Sequence, residues 1–228
     1  MHYIIAIARI FALTFLLVAC SGEKKEVAET GKDAPGTAPA SNPAKTKTIL
    51  FFGNSLTAGY GLDDPSQSFS GLIQKKIDSL GLDYKVVNAG VSGETTSGGN
   101  SRIDWVLKNP LDVFVLELGG NDGLRGIPVT ETKKNLQSII DKVKLKYPDA
   151  KLVLAGMQMP PSMGNQYTTA FRKLYKELAD QNNIKLIPFL LEGVGGEVKL
   201  NQKDGIHPTA EGHKIVAGNV WKIIKGIL

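Results

Sequence analysis

Cysteine is nearly absent: Cys20 is the one thiol in 228 residues. A lone thiol cannot close an internal disulfide, and no cysteine-based metal centre can be assembled from it. Histidine is almost as scarce. Of the three, His2 lies at the extreme N-terminus, which leaves His207 and His213 for chemistry. The 27 lysines and arginines exceed the 22 aspartates and glutamates by a net charge of +5. The lysines are scattered, with no basic run interleaved with aromatics, so the footprint of a nucleic-acid binder is missing. No internal repeat is present, which argues against solenoids and propellers. What remains is the ordinary balance of a globular protein, 42% hydrophobic and 21% charged. The length suits one domain with extra segments.

Those extras lie at the N-terminus. Arg9 precedes an apolar core, Ile10 to Ala19, that ends in small residues and is too short to span a bilayer comfortably. This is the anatomy of a targeting segment over residues 1–19. Its end, Leu17-Val18-Ala19-Cys20, resembles a bacterial lipoprotein box. The resemblance implies that Cys20 is lipidated and becomes the first mature residue. Several acyl chains there would hold a domain stably on a membrane. Ser21 at the following position resembles an outer-membrane rather than an inner-membrane address, and the resemblance implies a lipid-anchored protein of the bacterial envelope that faces the periplasm. Residues 20–47 are rich in Lys, Glu, Ala, Pro, Thr and Gly, and nearly devoid of large apolar side chains. Such a stretch cannot bury a core and reads as a flexible tether.

From Thr48 to Leu228 the pattern alternates. Short apolar runs at 48–52, 84–88, 112–118, 151–155 and 184–187 read as strands buried on both faces. Between them lie stripes at helical spacing: Phe69, Leu72, Ile73, Ile77, Leu80; then Leu136, Ile139, Ile140, Val143, Tyr147; then Tyr167, Phe171, Leu174, Tyr175, Leu178. A last helix carries Ile215, Val216, Val220, Ile223 and Ile224 on one face. Strand–helix alternation predicts an α/β domain: a flavodoxin-like, doubly wound parallel sheet of about five strands with helices on both faces.

The first strand ends abruptly in Gly53-Asn54-Ser55. In open α/β sheets ligands bind beyond the carboxyl ends of the strands, so Ser55 stands where a nucleophile is useful. Three later clusters follow other elements: Asn88 to Thr96, Glu117 to Gly126, and Asp204-Gly205-Ile206-His207-Pro208. An asparagine amide is a fixed donor, and Asp and His three residues apart can meet on one tight turn. The element Gly-x-Ser-x-Gly is absent, because Thr57 occupies the place of its second glycine, which argues against an ordinary α/β-hydrolase.

Gly53-Asn54-Ser55, Gly93, Gly120-Asn121-Asp122 and Asp204-Gly205-Ile206-His207-Pro208 resemble, in order, the four blocks of the SGNH (GDSL-type) hydrolases. The run Glu117 to Gly126 resembles their bacterial branch of acyl-CoA thioesterases, arylesterases and lysophospholipases. The resemblance spans about Thr48 to the end. One departure is Asn54, where that family usually has Asp. The resemblance and the chemistry together imply that Ser55 attacks an acyl carbonyl, His207 moves the proton, and Asp204 orients the imidazole. They imply an oxyanion site made of the N–H groups of Ser55 and Gly93 and the amide of Asn121. Asp122, Gly123, Leu124, Arg125 and Gly126 are implied to lie in a substrate-binding loop near the acyl groove. The implied substrates are acyl esters and thioesters, with no metal or other cofactor. The oligomeric state is left open. Glu117 reads as a strand residue with a structural hydrogen bond, Asp122 also as a turn former, and His213 as a surface or packing histidine. Two alternatives share these residues: a carbohydrate O-deacetylase, and a membrane-tethered binding protein that has lost turnover.

Overall fold

A computed structural model of the protein describes residues 46–228. The targeting segment, Cys20 and nearly all of the tether therefore lie outside the described residues. The five strands are β1 (Lys47–Gly53), β2 (Tyr84–Gly90), β3 (Val113–Glu117), β4 (Lys151–Ala155) and β5 (Lys185–Ile187). Each falls within two residues of its predicted span. β1 begins at Lys47, one residue inside the stretch read as tether. All pairings are parallel, in the order β2-β1-β3-β4-β5.

The helices are α1 (Ser55–Ala58), α2 (Phe69–Ser79), α3 (Thr96–Val106), α4 (Gly120–Leu124), α5 (Val129–Lys146), α6 (Asn165–Asn182) and α7 (Ala210–Ile224). α2 packs with α7, while α3 packs with α5 and α5 with α6. Both faces of the sheet are thus covered. The central strands explain why: Ile49, Leu50, Phe51 and Phe52 are consecutive and all buried, so water must be kept from both sides. Full burial of each contributes about 2–3 kcal/mol. β2 departs from the expectation of a strand buried on both faces. It is an edge strand, and of its seven residues only Tyr84 is buried. The last helix also differs by one position. His213, Val216, Ala217, Val220 and Ile224 form its buried stripe, and Ile215 falls outside it, 38% exposed.

The strand order reverses between β1 and β3. β1 leads outward to β2 on one side, and β3 leads to β4 and β5 on the other. Such a switch point opens a crevice at the carboxyl ends of the strands. Register aligns three strand ends there: Gly53 lies opposite Gly90 on one side and Glu117 on the other. The segments that follow these residues carry three of the four clusters read from the sequence.

Candidate active site

Ser55 opens α1, directly after β1. Asn54 caps that short helix, its Oδ1 accepting the N–H of Leu56 at 3.0 Å. The turn rests on Glu117, which is fully buried at the end of β3. Its carboxyl accepts from the N–H of Asn54 (3.1 Å), the Asn54 amide (2.8 Å), the N–H of Thr57 (3.3 Å) and the Thr57 hydroxyl (2.8 Å). Burial raises the Glu117 carboxyl to about 7, against the pull of these donors. Asn54 thus places an amide, not an acid, against this carboxyl.

Asp204 and His207 come from a loop closed by a bridge between Asn201 and Pro208. One Asp204 oxygen accepts the N–H of Ile206 (2.9 Å) and the N–H of His207 (3.0 Å). The other lies 2.6 Å from His207 Nδ1. These hydrogen bonds hold the carboxyl down at about 2. With the ring proton on Nδ1, donated to Asp204, Nε2 is left as an acceptor. It lies 2.8 Å from Ser55 Oγ. A residue that sequence reasoning missed, Tyr60, lies with its ring centroid 4.7 Å from that of His207. Gln202 donates to the Tyr60 carbonyl at 2.7 Å and to that of Pro208 at 3.0 Å, tying the two loops together.

Gly93 and Asn121 follow β2 and β3. Gly93 has φ +79°, a conformation that glycine adopts without strain. Asn121 begins the second position of α4, and its amide donates one hydrogen to the carbonyl of Glu94 at 2.8 Å. Among the described residues the second amide hydrogen has no acceptor. Arg125 reaches back to the Gly93 carbonyl at 3.0 Å.

A model of the GDSL-like Lipase/Acylhydrolase family matches residues 51–215. The chain belongs to this family. Esterase TesA of Pseudomonas aeruginosa is 41% identical over 186 residues, 81% of this chain and 91% of the relative. Thioesterase 1/protease 1/lysophospholipase L1 of Escherichia coli is 36% identical over 175 residues, 76% of this chain and 81% of the relative. A crystal structure of TesA superposes with a TM-score of 0.76 at 42% identity, covering 80% of this chain and 100% of that one. The sheet is that of the SGNH hydrolases, and the protein is a hydrolase acting on acyl esters.

Within this GDSL-like acylhydrolase, the five residues expected in a substrate-binding loop divide. Leu124, Arg125 and Gly126 are exposed beside Gly93. Asp122 and Gly123 are buried. The Asp122 carboxyl accepts the Thr96 N–H at 2.9 Å and also the Thr96 hydroxyl, fastening α4 to the start of α3. Gly123 packs on Met159, whose sulfur would lie 2.1 Å from a Cβ there. Both are therefore occupied by structure, and the turn that Asp122 was expected to form is a short helix. His213 is a packing histidine, as expected. It is buried, and its Nδ1 accepts the first N–H of α2, from Phe69, at 3.1 Å. Burial, with the nearby His207, lowers it to about 4. Among the described residues no three His, Cys, Asp or Glu side chains gather into a metal-binding group.

Proposed function

We propose that this acylhydrolase works through an acyl-enzyme on Ser55. Ser55 Oγ attacks the acyl carbonyl while its proton passes to His207 Nε2, 2.8 Å away. Asp204 holds the ring in the required tautomer and stabilises the imidazolium. The carbonyl oxygen, now negative, is received by the N–H groups of Ser55 and Gly93 and the free hydrogen of the Asn121 amide. Each such donor contributes roughly 3–4 kcal/mol to lowering the barrier. Collapse of the tetrahedral species expels the alcohol or thiol, which takes the proton from His207. Water repeats the sequence in reverse roles and frees the acid. The carrying observation is the unbroken chain of short hydrogen bonds from Asp204 through His207 to Ser55, at the switch point of the sheet.

The substrates proposed are aryl esters, acyl-CoA thioesters and lysophospholipids. Supporting them are the names of two relatives, thioesterase 1/protease 1/lysophospholipase L1 of Escherichia coli and an arylesterase of Vibrio mimicus, and the exposed apolar side chains of Tyr60, beside His207, of Ile206, next to it in the chain, and of Leu124 at the end of α4. We also propose lipid attachment at Cys20 and a periplasm-facing, outer-membrane location, supported by the Leu-Val-Ala-Cys run and the tether composition. Among the described residues no helix is long and apolar enough to cross a membrane.

Replacing Ser55 with Ala is expected to reduce hydrolysis of p-nitrophenyl esters by roughly a thousandfold or more, with the fold intact. Near-full turnover in the folded variant would overturn the mechanism. A series of acyl lengths run beside an acetylated sugar separates this activity from carbohydrate deacetylation. A fluorophosphonate probe that fails to label the wild-type domain would favour the binding-protein alternative. Cys20→Ala is expected to move the protein from the membrane fraction to the soluble one, and retention on the membrane would refute the lipid anchor.

A further inference from the structure

Arg102, on α3, touches none of the atoms assigned to the reaction, yet it meets the end of β1 just ahead of Ser55, the end of β2, and Glu94 beside Gly93. Its Nε and one terminal nitrogen grip both carboxylate oxygens of Glu94, each at 2.5 Å. That terminal nitrogen also donates to the carbonyl of Ala89 at 2.8 Å and, more weakly, to the carbonyl of Gly53 at 3.3 Å. The guanidinium lies over the Phe52 ring, 4.0 Å from its centroid. The Glu94 side chain is only 6% exposed and that of Arg102 23%, so the pair is largely shielded from water.

Each partner leads to a group of the site. The Gly53 carbonyl belongs to the peptide that precedes Asn54 and Ser55. Its oxygen is held by Arg102 and by the N–H of Val91 at 2.9 Å, and its N–H by Glu117 at 3.1 Å. That peptide plane is therefore fixed from both edges, which sets the direction of the Ser55 N–H one residue later. Glu94 follows Gly93 directly, so clamping the Glu94 side chain immobilises the Gly93 peptide. The carbonyl of the same Glu94 accepts the Asn121 amide at 2.8 Å, which aims the remaining amide hydrogen. Ala89 lies on β2, so the same guanidinium also fixes the strand from which the Gly93 loop departs.

We propose that Arg102 is the positioning residue of the oxyanion site, holding the donors of Ser55, Gly93 and Asn121 in one arrangement through a single planar cation. Three features of its chemistry are needed. A fork matches the two oxygens of Glu94, a further N–H reaches the carbonyls of two strands, and a flat face stacks on Phe52. Lysine offers a point charge and none of that geometry. Donors that are misplaced by a fraction of an ångström stabilise the developing oxyanion less, while a neutral substrate is bound almost as before.

The inference rests on the Ser55 mechanism, so the two are tested side by side. In Arg102→Lys and Arg102→Ala, kcat for a p-nitrophenyl ester is expected to fall about 10- to 100-fold. KM should stay within about threefold, and the kcat pH profile should keep its wild-type inflections, because the His207–Asp204 pair is untouched. Fluorophosphonate labelling of Ser55 should slow in parallel with kcat but still reach completion. Added methylguanidine should restore part of the activity of Arg102→Ala and none of that of Ser55→Ala. If Arg102→Ala does not fold, Arg102→Lys, which keeps stem and charge, decides the question. A folded Arg102→Lys with kcat within twofold of wild type overturns the positioning role, as does a loss confined to KM. Wild-type protein that resists the probe overturns the Ser55 mechanism instead.

Discussion

Asp204 and Glu117 each gather several hydrogen-bond donors around one carboxyl group, Asp204 on a loop open to water and Glu117 in the interior behind the Asn54–Thr57 turn. Three donors converge on Asp204, two from the backbone and one from His207. Four converge on Glu117. The better-supplied group is the one whose acidity is weakened. Glu117 rises to about 7, while Asp204 falls to about 2. Loss of hydration outweighs four hydrogen bonds in the interior, whereas at the surface three donors act with little opposition. The carboxyl beside the histidine is therefore charged throughout the neutral range, and the one beneath the serine is poised between two states.

Breaking the exposed member should produce the largest effect. Asp204→Asn removes the acceptor of the Nδ1 proton and lets the ring adopt the other tautomer. The kcat for a p-nitrophenyl ester is expected to drop about a thousandfold or more with little change in folding. A drop under tenfold would detach Asp204 from the chemistry. Glu117→Ala should do the reverse, costing mainly stability. It leaves the Asn54 amide and the Thr57 hydroxyl buried without partners, a loss of about 3 kcal/mol in urea denaturation. A change under 1 kcal/mol would mean that water replaces the carboxyl.

The buried group should also be visible through pH. Between pH 4.5 and 7 the folded chain keeps a proton on Glu117 that the unfolded chain has released, so this contribution is full below 4.5 and is lost as pH rises through 7. His213 works the other way. Its ring is held neutral down to about pH 4 instead of 6.5, so its contribution is present above 6.5 and is lost as pH falls toward 4. Each amounts to about 3 kcal/mol, and over the shared window they oppose. Wild-type stability is expected to be nearly flat from pH 4.5 to 6.5. Glu117→Gln should expose a rise with pH, and His213→Gln a fall. Parallel profiles in the two variants would contradict this pairing. The smallest effect is expected from Asn54→Asp, which sets a second carboxyl against Glu117 so that the two must share a proton. It should lower stability by about 1 kcal/mol more at pH 8 than at pH 5, measured by urea midpoints, with activity preserved because Asp retains the cap on Leu56. Equal loss at both values would argue against a shared proton.

Much of this was readable from the chain. Central strands announced themselves as unbroken apolar runs, and Ser55, Asp204 and His207 stood at motif positions that the fold then brought within hydrogen-bonding distance. What escaped was of another kind. α3 shows a weak apolar stripe because two glycines and several polar residues fill it. Gly99 is needed there, since a Cβ would come within 2.3 Å of Leu118. The link from Asp122 to Thr96 crosses 26 residues, and the grip of Arg102 on Gly53 crosses 49. Neither has a period or spacing for a reader to follow. The Glu117 hydrogen bond was foreseen as a single structural contact, but its four partners arise only when β1 and β3 lie in register.

The direction of β1 carries a practical consequence. Lys47 and Gly53 mark its two ends, and seven residues of strand separate them by about 20 Å. Whatever is joined ahead of Lys47, whether an affinity tag, a fluorescent reporter or a bead, thus attaches at the far pole of the sheet from Ser55. Such fusions should leave the mouth of the enzyme open to bulky acyl donors, whereas cargo grafted near Tyr60 or Ile206 would stand in the doorway.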